Sequence, residues 1–210
     1  SEIYNDKNKI TYVGHPLLDE IQDFKQELAN TNKIAFMPGS RKTEITNLMP
    51  IFRELILKIP NKEYILIIPA KFDDNYIKKI YGDISEFSIS KNTHKTLQEA
   101  EYAFICSGTA TLEATLIGTP FTLSYIAKKI DYFIGSLFVK LNHVGLANIF
   151  FEKMGKQPLH SEFLQDDVTV ENLFYDYKNM NKKLFFDNSK ELREYLKNGS
   201  SQNVAKIIQN

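Results

Sequence analysis

The sequence predicts an α/β protein built on a doubly wound parallel sheet. Apolar runs typical of buried strands alternate about five times with helical segments between residues 33 and 125. The run over residues 63–70 is nearly continuous in branched apolar side chains, as expected of a central parallel strand covered on both faces. Two of the predicted strands end in a glycine that leads directly into a helix, and doubly wound sheets bind ligands at such strand ends.

Composition limits the classes of function. The chain has 210 residues with 43% hydrophobic side chains, enough for one large or two small domains with a proper core. Lysine plus arginine and aspartate plus glutamate both number 26, so no bulk charge favours nucleic acid as a partner. The single Cys106 excludes an internal disulfide and a cysteine-cluster metal site, as is usual in a reducing compartment.

No targeting or membrane-spanning segment is evident in the sequence. No run of about 18 uncharged apolar residues occurs, and no signal peptide is recognisable. We therefore expect a soluble protein of the cytoplasm. The chain begins with Ser1 and a polar segment, so it could be part of a longer protein.

The first 32 residues are predicted to be an entry segment, and residues 33–210 one domain with a helical tail. The entry segment should contain a strand over residues 10–13 and a helix over residues 17–28. His15 lies between them in a Gly-His-Pro turn. We interpret His15 as a turn-capping residue, with contact to a ligand as the alternative.

The first glycine junction covers residues 38–41 and follows a predicted strand over 34–37. Gly39 permits close approach of a ligand to the backbone, and Ser40 adds a hydroxyl donor. Arg41 stands at the start of a helix predicted over 43–59, where the helix dipole disfavours a cation. That cost is understandable if an anion lies there, because a guanidinium is well suited to phosphate. Lys42 and Glu44 are interpreted as surface residues.

The second glycine junction covers residues 106–109 and separates a strand predicted over 102–105 from a helix predicted over 110–117. Such a junction points free backbone N–H groups at one place and attracts anions. Ser107, Gly108, Thr109 and Ala110 form this helix start, with Thr109 as the expected N-cap. Glu113 lies one turn further on, so its carboxylate could accept bonds from a polyol. An ordinary capped helix is the alternative interpretation.

The remaining elements are predicted from local pattern. Residues 72–80 and 93–100 should be helices, and residues 87–89 and 120–125 strands. Residues 127–141 are strongly apolar and flanked by lysines, which allows either a packing helix or an amphipathic surface on a membrane. Residues 143–149 should form a loop carrying Asn148, and the tail should hold helices over the ranges 168–180, 189–196 and 203–208.

Several motifs together resemble one family, lipid-A-disaccharide synthase. They occur in this order: Gly14-His15-Pro16-Leu17, Met37-Pro38-Gly39-Ser40-Arg41 with Glu44-Ile45, Ser107-Gly108-Thr109-Ala110-Thr111-Leu112-Glu113, Leu146-Ala147-Asn148-Ile149 and Ser161-Glu162-Phe163-Leu164-Gln165. The resemblance covers residues 11–175. It implies the GT-B glycosyltransferase fold of two Rossmann-like domains, of which this chain would be the carboxyl-terminal one. The amino-terminal domain, which in the family binds the acceptor and carries the proposed base, has no counterpart here.

The family implies a reaction and a set of site residues. A 2,3-diacylglucosamine unit would pass from UDP-2,3-diacylglucosamine to 2,3-diacylglucosamine 1-phosphate, with inversion and release of UDP. The helix starting at Thr109 would hold the pyrophosphate, Glu113 the ribose, and Arg41 with Ser40 the charge on the leaving group. Asn148 would contact sugar or phosphate, and Glu162 and Gln165 would lie near the cleft. No cofactor or metal is expected.

The resemblance also bears on partners and leaves alternatives open. Because the substrates are acylated, the resemblance favours a membrane or acyl-chain role for the stretch over 127–141. The protein would then lie peripherally on the inner membrane. A homodimer is also possible. Ala147 replaces the usual proline and Ile126 a common basic residue. Another GT-B enzyme acting on a UDP-sugar, such as a UDP-N-acetylglucosamine epimerase, and a non-catalytic nucleotide-binding module are the alternatives. Without an acceptor domain we expect essentially no turnover.

Overall fold

A parallel sheet of six strands runs through the computed structural model, which describes residues 10–21, 24–106, 108–126 and 142–209. The predicted fold class is confirmed. The elements follow one another in this order: α1 (Pro16–Glu20), β1 (Lys33–Met37), α2 (Lys42–Lys58), β2 (Glu63–Ile67), α3 (Asp74–Tyr81), β3 (Ser88–Ser90), α4 (Thr93–Glu99), β4 (Tyr102–Cys106), α5 (Thr109–Ile117), β5 (Phe121–Tyr125), α6 (Leu146–Lys153), β6 (Glu162–Leu164), a 3-10 turn (Gln165–Asp167), α7 (Val170–Asn179), α8 (Lys182–Leu196) and α9 (Ser200–Gln209).

The strand order places a topological switch between β1 and β4. Strands lie in the order β3-β2-β1-β4-β5-β6, so the chain winds outward from β1 in one direction and from β4 in the other. Met37 of β1 pairs with Ile105 of β4, so these two strands end side by side. The crevice at such a switch is where doubly wound sheets receive ligands.

Helices cover both faces of the sheet. Phe36 and Phe104, on neighbouring strands, stack with ring centroids 5.3 Å apart on the face covered by α2. Ala35 and Ile105 point to the other face, where α5 contributes Leu112 to a second apolar core. Burial on both faces explains why the strands are apolar at successive positions. The apolar side chains that α2 turns towards the sheet are all buried: Ile45, Leu48, Met49, Phe52, Leu55 and Ile56.

The entry segment differs from the sequence prediction. Residues 10–13 form no strand, and α1 ends at Glu20 instead of continuing to residue 28. Residues 12 and 13 lie against the helical tail: the Tyr12 hydroxyl donates to the carbonyl oxygen of Leu196 at 2.5 Å, and the Asn203 amide donates to the carbonyl oxygen of Val13 at 2.9 Å. His15 caps α1, its Nδ1 accepting from the Leu17 N–H at 3.3 Å, which confirms the interpretation as a capping residue.

A tight joint connects α1 to the start of α9. The Asp19 carboxylate accepts hydrogen bonds from the N–H groups of Gly199 and Ser201, at 2.7 and 2.8 Å, and from the Ser200 hydroxyl at 2.9 Å. These donors hold the pKa of Asp19 well below its usual range. Gly14 lies beside this joint at a φ of +104°. A glycine is needed there because a side chain would press against the backbone oxygen of Lys197.

Two predictions concern the loop over residues 143–149 and the apolar stretch over residues 127–141. The expected loop over residues 143–149 is wrong from Leu146 onward, where α6 begins. The stretch over 127–141 lies outside the described residues, so its packing or membrane role stays a prediction. Of the helices in the described part of the chain, none is both long and apolar enough to cross a bilayer.

Candidate functional site

The two glycine junctions lie next to each other at the switch of the sheet. The first follows β1 and the second follows β4, which are hydrogen-bonded neighbours. Both glycines adopt backbone conformations that disfavour other residues, with φ of +98° at Gly39 and +144° at Gly108. Two helices, α2 and α5, therefore start at one place on the carboxyl edge of the sheet.

The start of α5 is open to solvent. Gly108 is the N-cap and Thr109 the first helical residue, so the expected N-cap role of Thr109 is wrong. Both residues are exposed, and no described side chain caps the helix. Apart from its chain neighbours, no described residue has an atom within 4 Å of the place where a Gly108 side chain would begin. Ala110 is half-buried behind them, and Ser107 lies outside the described residues. The first-turn N–H groups of α5 therefore face a space that a ligand could enter.

The start of α2 is closed by Glu44. Its Oε2 atom accepts from the N–H groups of Ser40 and Arg41, both at 3.1 Å, and only 8% of its side chain is exposed. The interpretation of Glu44 as a surface residue is therefore wrong. Gly39 makes room for this carboxylate, because a Cβ atom there would collide with Oε2 of Glu44. The anion that offsets Arg41 at this helix start is supplied by the chain itself.

Arg41 itself is exposed and directed by Glu44. Its Nη1 atom lies 2.8 Å from Oε1 of Glu44, while 79% of its side chain is accessible to solvent. The Glu44 carboxylate, which accepts this hydrogen bond, raises the pKa of Arg41 above its usual value. Tyr125 and Cys106 add smaller electrostatic effects in the same direction. These two residues end β5 and β4, the strands that lie beside β1 on the side where α5 begins.

Glu113 lies on α5 and faces helix α4. Its Oε2 atom is 3.5 Å from Nε2 of His94, and 19% of its side chain is exposed. The position one turn inside α5 agrees with the predicted spacing.

Asn148 is fully buried in α6, and its amide is completely hydrogen-bonded. The Nδ2 atom donates to the carbonyl oxygen of His160 at 2.9 Å and to Oε1 of Glu162 at 2.8 Å. The Oδ1 atom accepts from the N–H groups of Leu159 and His160, at 2.7 and 3.2 Å. Two donors and two acceptor positions are all that an amide offers. The expected contact of Asn148 with a ligand stays a prediction, but in this conformation no hydrogen-bonding position is left for it.

Glu162 closes the start of α6, as Glu44 closes that of α2. Its carboxylate accepts from the N–H groups of Val144 and Gly145, at 2.8 and 3.0 Å, and from Asn148. His143 is also close, with Nδ1 3.7 Å from Oε1. Sequence reasoning placed Glu162 near the cleft but missed this capping role, because no local motif joins residues that lie 17 or 18 positions apart.

A cavity of about 710 Å³ lies beside β6, away from the two glycine junctions. Part of its polar wall is engaged internally: Asp176 accepts from the hydroxyls of Thr122 and Ser161, both at 2.6 Å. His160 is buried next to it, which lowers the pKa of its imidazole to about 4. Within the described ranges, no three His, Cys, Asp or Glu side chains gather so as to hold a metal ion. The junctions at the switch remain the better candidate site.

The sheet order and the paired junctions define an α/β domain of the kind found in GT-B glycosyltransferases. Solved structures with this fold include the glycosyltransferase SnogD from Streptomyces nogalater, at a TM-score of 0.54 and 12% identity, with 95% of this chain and 49% of that chain covered. Another is the spinosyn rhamnosyltransferase SpnG complexed with thymidine diphosphate, at a TM-score of 0.54 and 12% identity, covering 96% of this chain and 50% of that one. Identities this low show the fold alone.

The chain belongs to the lipid-A-disaccharide synthetase family, whose model matches residues 1–209. It is 54% identical over 210 residues to the lipid-A-disaccharide synthase of Campylobacter jejuni subsp. jejuni, covering 96% of this chain and 57% of that protein. It is 45% identical over 211 residues to the corresponding synthase of Helicobacter pylori, covering 95% of this chain and 58% of that protein. The chain thus spans less than two thirds of the length of these relatives.

Proposed function

We propose that this chain is the donor-binding part of an inverting lipid-A-disaccharide synthase and that it binds the UDP moiety of UDP-2,3-diacylglucosamine. The observation that carries the proposal is the open start of α5, which lies at the switch of the sheet beside Arg41. Family membership supports the reaction, and the thymidine diphosphate bound to SpnG supports a nucleoside diphosphate as the class of ligand.

The pyrophosphate of UDP would lie on the first turn of α5. Gly108, Thr109 and Ala110 offer backbone N–H groups there, and the positive end of the helix dipole favours the anion. Gly108 lets the phosphate approach the backbone closely, since it has no side chain and no described residue beyond its chain neighbours fills the space beside its Cα atom. The Ser107 hydroxyl would add a donor at the same place.

Arg41 would stabilise the charge that develops on UDP as the glycosidic bond breaks. Its guanidinium is exposed and keeps further N–H donors besides the one held by Glu44. A fixed cation beside a developing anion lowers the barrier because it needs no reorganisation during the reaction. Ser40 and Gly39 would line the same side of the site, with the Ser40 hydroxyl exposed at the edge. Because the guanidinium takes this role, we expect UDP binding to be insensitive to chelators.

Glu113 would bind the ribose of UDP. A carboxylate accepts two hydrogen bonds from neighbouring hydroxyls, and the Glu113 carboxylate lies one turn further along α5 than the proposed pyrophosphate position. Its contact with His94 leaves the side chain partly exposed, so that a nucleoside can reach it. The pyrophosphate and the ribose would then bind to consecutive turns of one helix.

Asn148 would act indirectly: its hydrogen bond to Glu162 would hold that carboxylate at the start of α6. The acceptor and the general base would come from the part of the relatives that this chain does not cover, and the acylated donor would bring the protein to the inner membrane surface. We expect the 210-residue chain to bind UDP without turning over the donor.

Calorimetric titration of the chain with UDP, UMP and uridine tests the proposal. UDP should bind most tightly, UMP more weakly and uridine most weakly, because each step removes a phosphate from the start of α5. Equal affinity for UDP and uridine would contradict the pyrophosphate position. Competition between UDP-N-acetylglucosamine and the diacylated donor separates the alternative of another UDP-sugar enzyme, which would bind the former tightly and show no preference for the acylated donor.

A further inference from the structure

The helices of this domain differ in which group occupies their starts. The starts of α2 and α6 are each filled by a carboxylate of the chain, Glu44 and Glu162, whereas α5 has no capping side chain among the described residues. A helix start attracts anions whichever strand precedes it. The α2 and α5 starts are direct neighbours at the switch. If neither start were occupied by a group of the chain, both would attract the same phosphate.

Glu44 accepts hydrogen bonds with both of its carboxylate oxygens. One oxygen, Oε2, accepts from the N–H groups of Ser40 and Arg41. The other, Oε1, accepts from the Arg41 guanidinium at 2.8 Å. The carboxylate therefore takes the position that a phosphate would take on α2, and it also fixes the direction of the neighbouring cation.

We propose that Glu44 is a positioning and specificity-determining residue of the diphosphate site. Its carboxylate stands in for a phosphate at the start of α2 and holds Arg41 towards α5, so that the diphosphate is received at α5 alone. This inference rests on the proposed function for the identity of the ligand. It does not depend on that function for the exclusion of anions from α2.

The burial of Glu44 supports this role over that of a surface ion pair. An exposed pair at this spacing in a helix contributes little and would not exclude a ligand. Here the carboxylate is 8% exposed while its partner is 79% exposed, so the anion is fixed and only the cation can reach a ligand. Gly39 supports the same conclusion, because any side chain at that position would displace the carboxylate.

The test compares Glu44→Ala with Glu44→Gln in the 210-residue chain. In Glu44→Ala the N–H groups of Ser40 and Arg41 are freed, so inorganic pyrophosphate should now shift their amide NMR signals in a saturable way that the wild-type chain does not show for Ser40. The affinity for UDP should fall roughly tenfold, because Glu44 no longer holds the Arg41 guanidinium in place and its charge-assisted contact with the diphosphate is lost. Glu44→Gln keeps an oxygen for the two N–H groups, so α2 should stay closed and the affinity should fall less than in Glu44→Ala.

A matched variant separates this role from simple helix capping. Asp73 caps α3 through the N–H of Tyr76, at 2.8 Å, and lies away from the switch. Asp73→Ala should lose comparable stability in denaturant unfolding but leave UDP affinity unchanged. If Glu44→Ala behaves like Asp73→Ala, with unchanged UDP affinity and a silent Ser40 amide, the inference is overturned.

The amide readout also distinguishes the two proposals. If the wild-type chain fails to bind UDP, the proposed function fails. A response of the Ser40 amide to pyrophosphate in Glu44→Ala alone would still support Glu44 as the residue that excludes anions from α2. A response in both the variant and the wild-type chain would refute that exclusion.

Discussion

The Nε2 atom of His94, in the first turn of α4, lies 3.5 Å from Oε2 of Glu113, one turn inside α5. The two helices pack side by side on one face of the sheet. Glu113 is thus held from the side of α4, and a nucleoside bound along α5 would meet a carboxylate of fixed direction.

Replacing Glu113 by glutamine should weaken the binding of uridine as well as UDP. The amide keeps one acceptor oxygen but loses the charge and the second acceptor, so contacts with the ribose hydroxyls become weaker. The affinity should therefore fall several-fold for both ligands, since both contain the ribose. Calorimetry with both ligands measures it, with Glu194→Gln on the exposed face of α8 as the matched control. A defect seen only with inorganic pyrophosphate would argue against the ribose assignment.

Replacing Arg41 by alanine should raise the dissociation constant of UDP about tenfold or more. Loss of a charge-assisted hydrogen bond costs about 1.5–3 kcal/mol. The neighbouring Lys42→Ala variant removes the same formal charge from an exposed position and should have little effect. Calorimetry that finds both variants equal to the wild type would remove Arg41 from the site.

The stability of the protein should rise between about pH 7 and pH 10 because of Lys25. Its Nζ atom donates to the carbonyl oxygen of Ala100 at 2.5 Å, and 7% of the residue is exposed. Burial lowers its pKa in the folded state to about 7, whereas a lysine in an unfolded chain titrates near 10.4. In this window the unfolded chain binds more protons, so raising the pH favours the folded state; below the folded pKa both states are charged and the effect is flat.

Urea unfolding at a series of pH values measures this dependence. For one such group the slope is at most about 1.4 kcal/mol per pH unit. Lys25→Met should flatten the curve and raise the free energy of unfolding at neutral pH, while Lys78→Met on the exposed side of α3 should keep the wild-type slope. An unchanged slope in Lys25→Met would refute the assignment.

Replacing Asn148 by alanine should destabilise the protein by about 3 kcal/mol. The change leaves the buried N–H groups of Leu159 and His160 and the Glu162 carboxylate short of partners, and each unsatisfied buried group costs about 1–3 kcal/mol. Asn179→Ala is the control, since its amide donates to Tyr175 on the exposed end of α7. Wild-type stability in Asn148→Ala would show that the amide network around α6 is not formed as described.

Sequence reasoning predicted the sheet well because burial on both faces leaves a strong local signal. Successive apolar residues in β1, β2 and β4 mark strands covered on both sides, and each strand is followed by a helix. The position of the two glycine junctions at strand ends followed from the same pattern. The strand order itself comes from pairing between distant residues, which the pattern does not contain.

The predictions at the edges failed for physical reasons that are specific to each place. Strand β6 has three residues, too few for a periodic signal. Residues 10–13 have strand-like composition but form hydrogen bonds with α8 and α9 instead of with a strand. The role of Glu44 could have been suspected from its spacing, since an acidic residue three positions after an N-cap often closes a helix start. The presence of Arg41 at the cap position obscured that signal, because arginine is not a usual N-cap residue.

The joint between Asp19 and the start of α9 has a consequence for the order of folding. It connects residues about 180 positions apart in the chain, so its closure removes more chain entropy than the neighbouring strand pairings do. Contacts of such separation form only after the intervening sheet has brought their ends together. We therefore expect the union of α1 with α9 to be the last step of folding, and amide exchange at Gly199 and Ser201 to be among the first events as the native state opens.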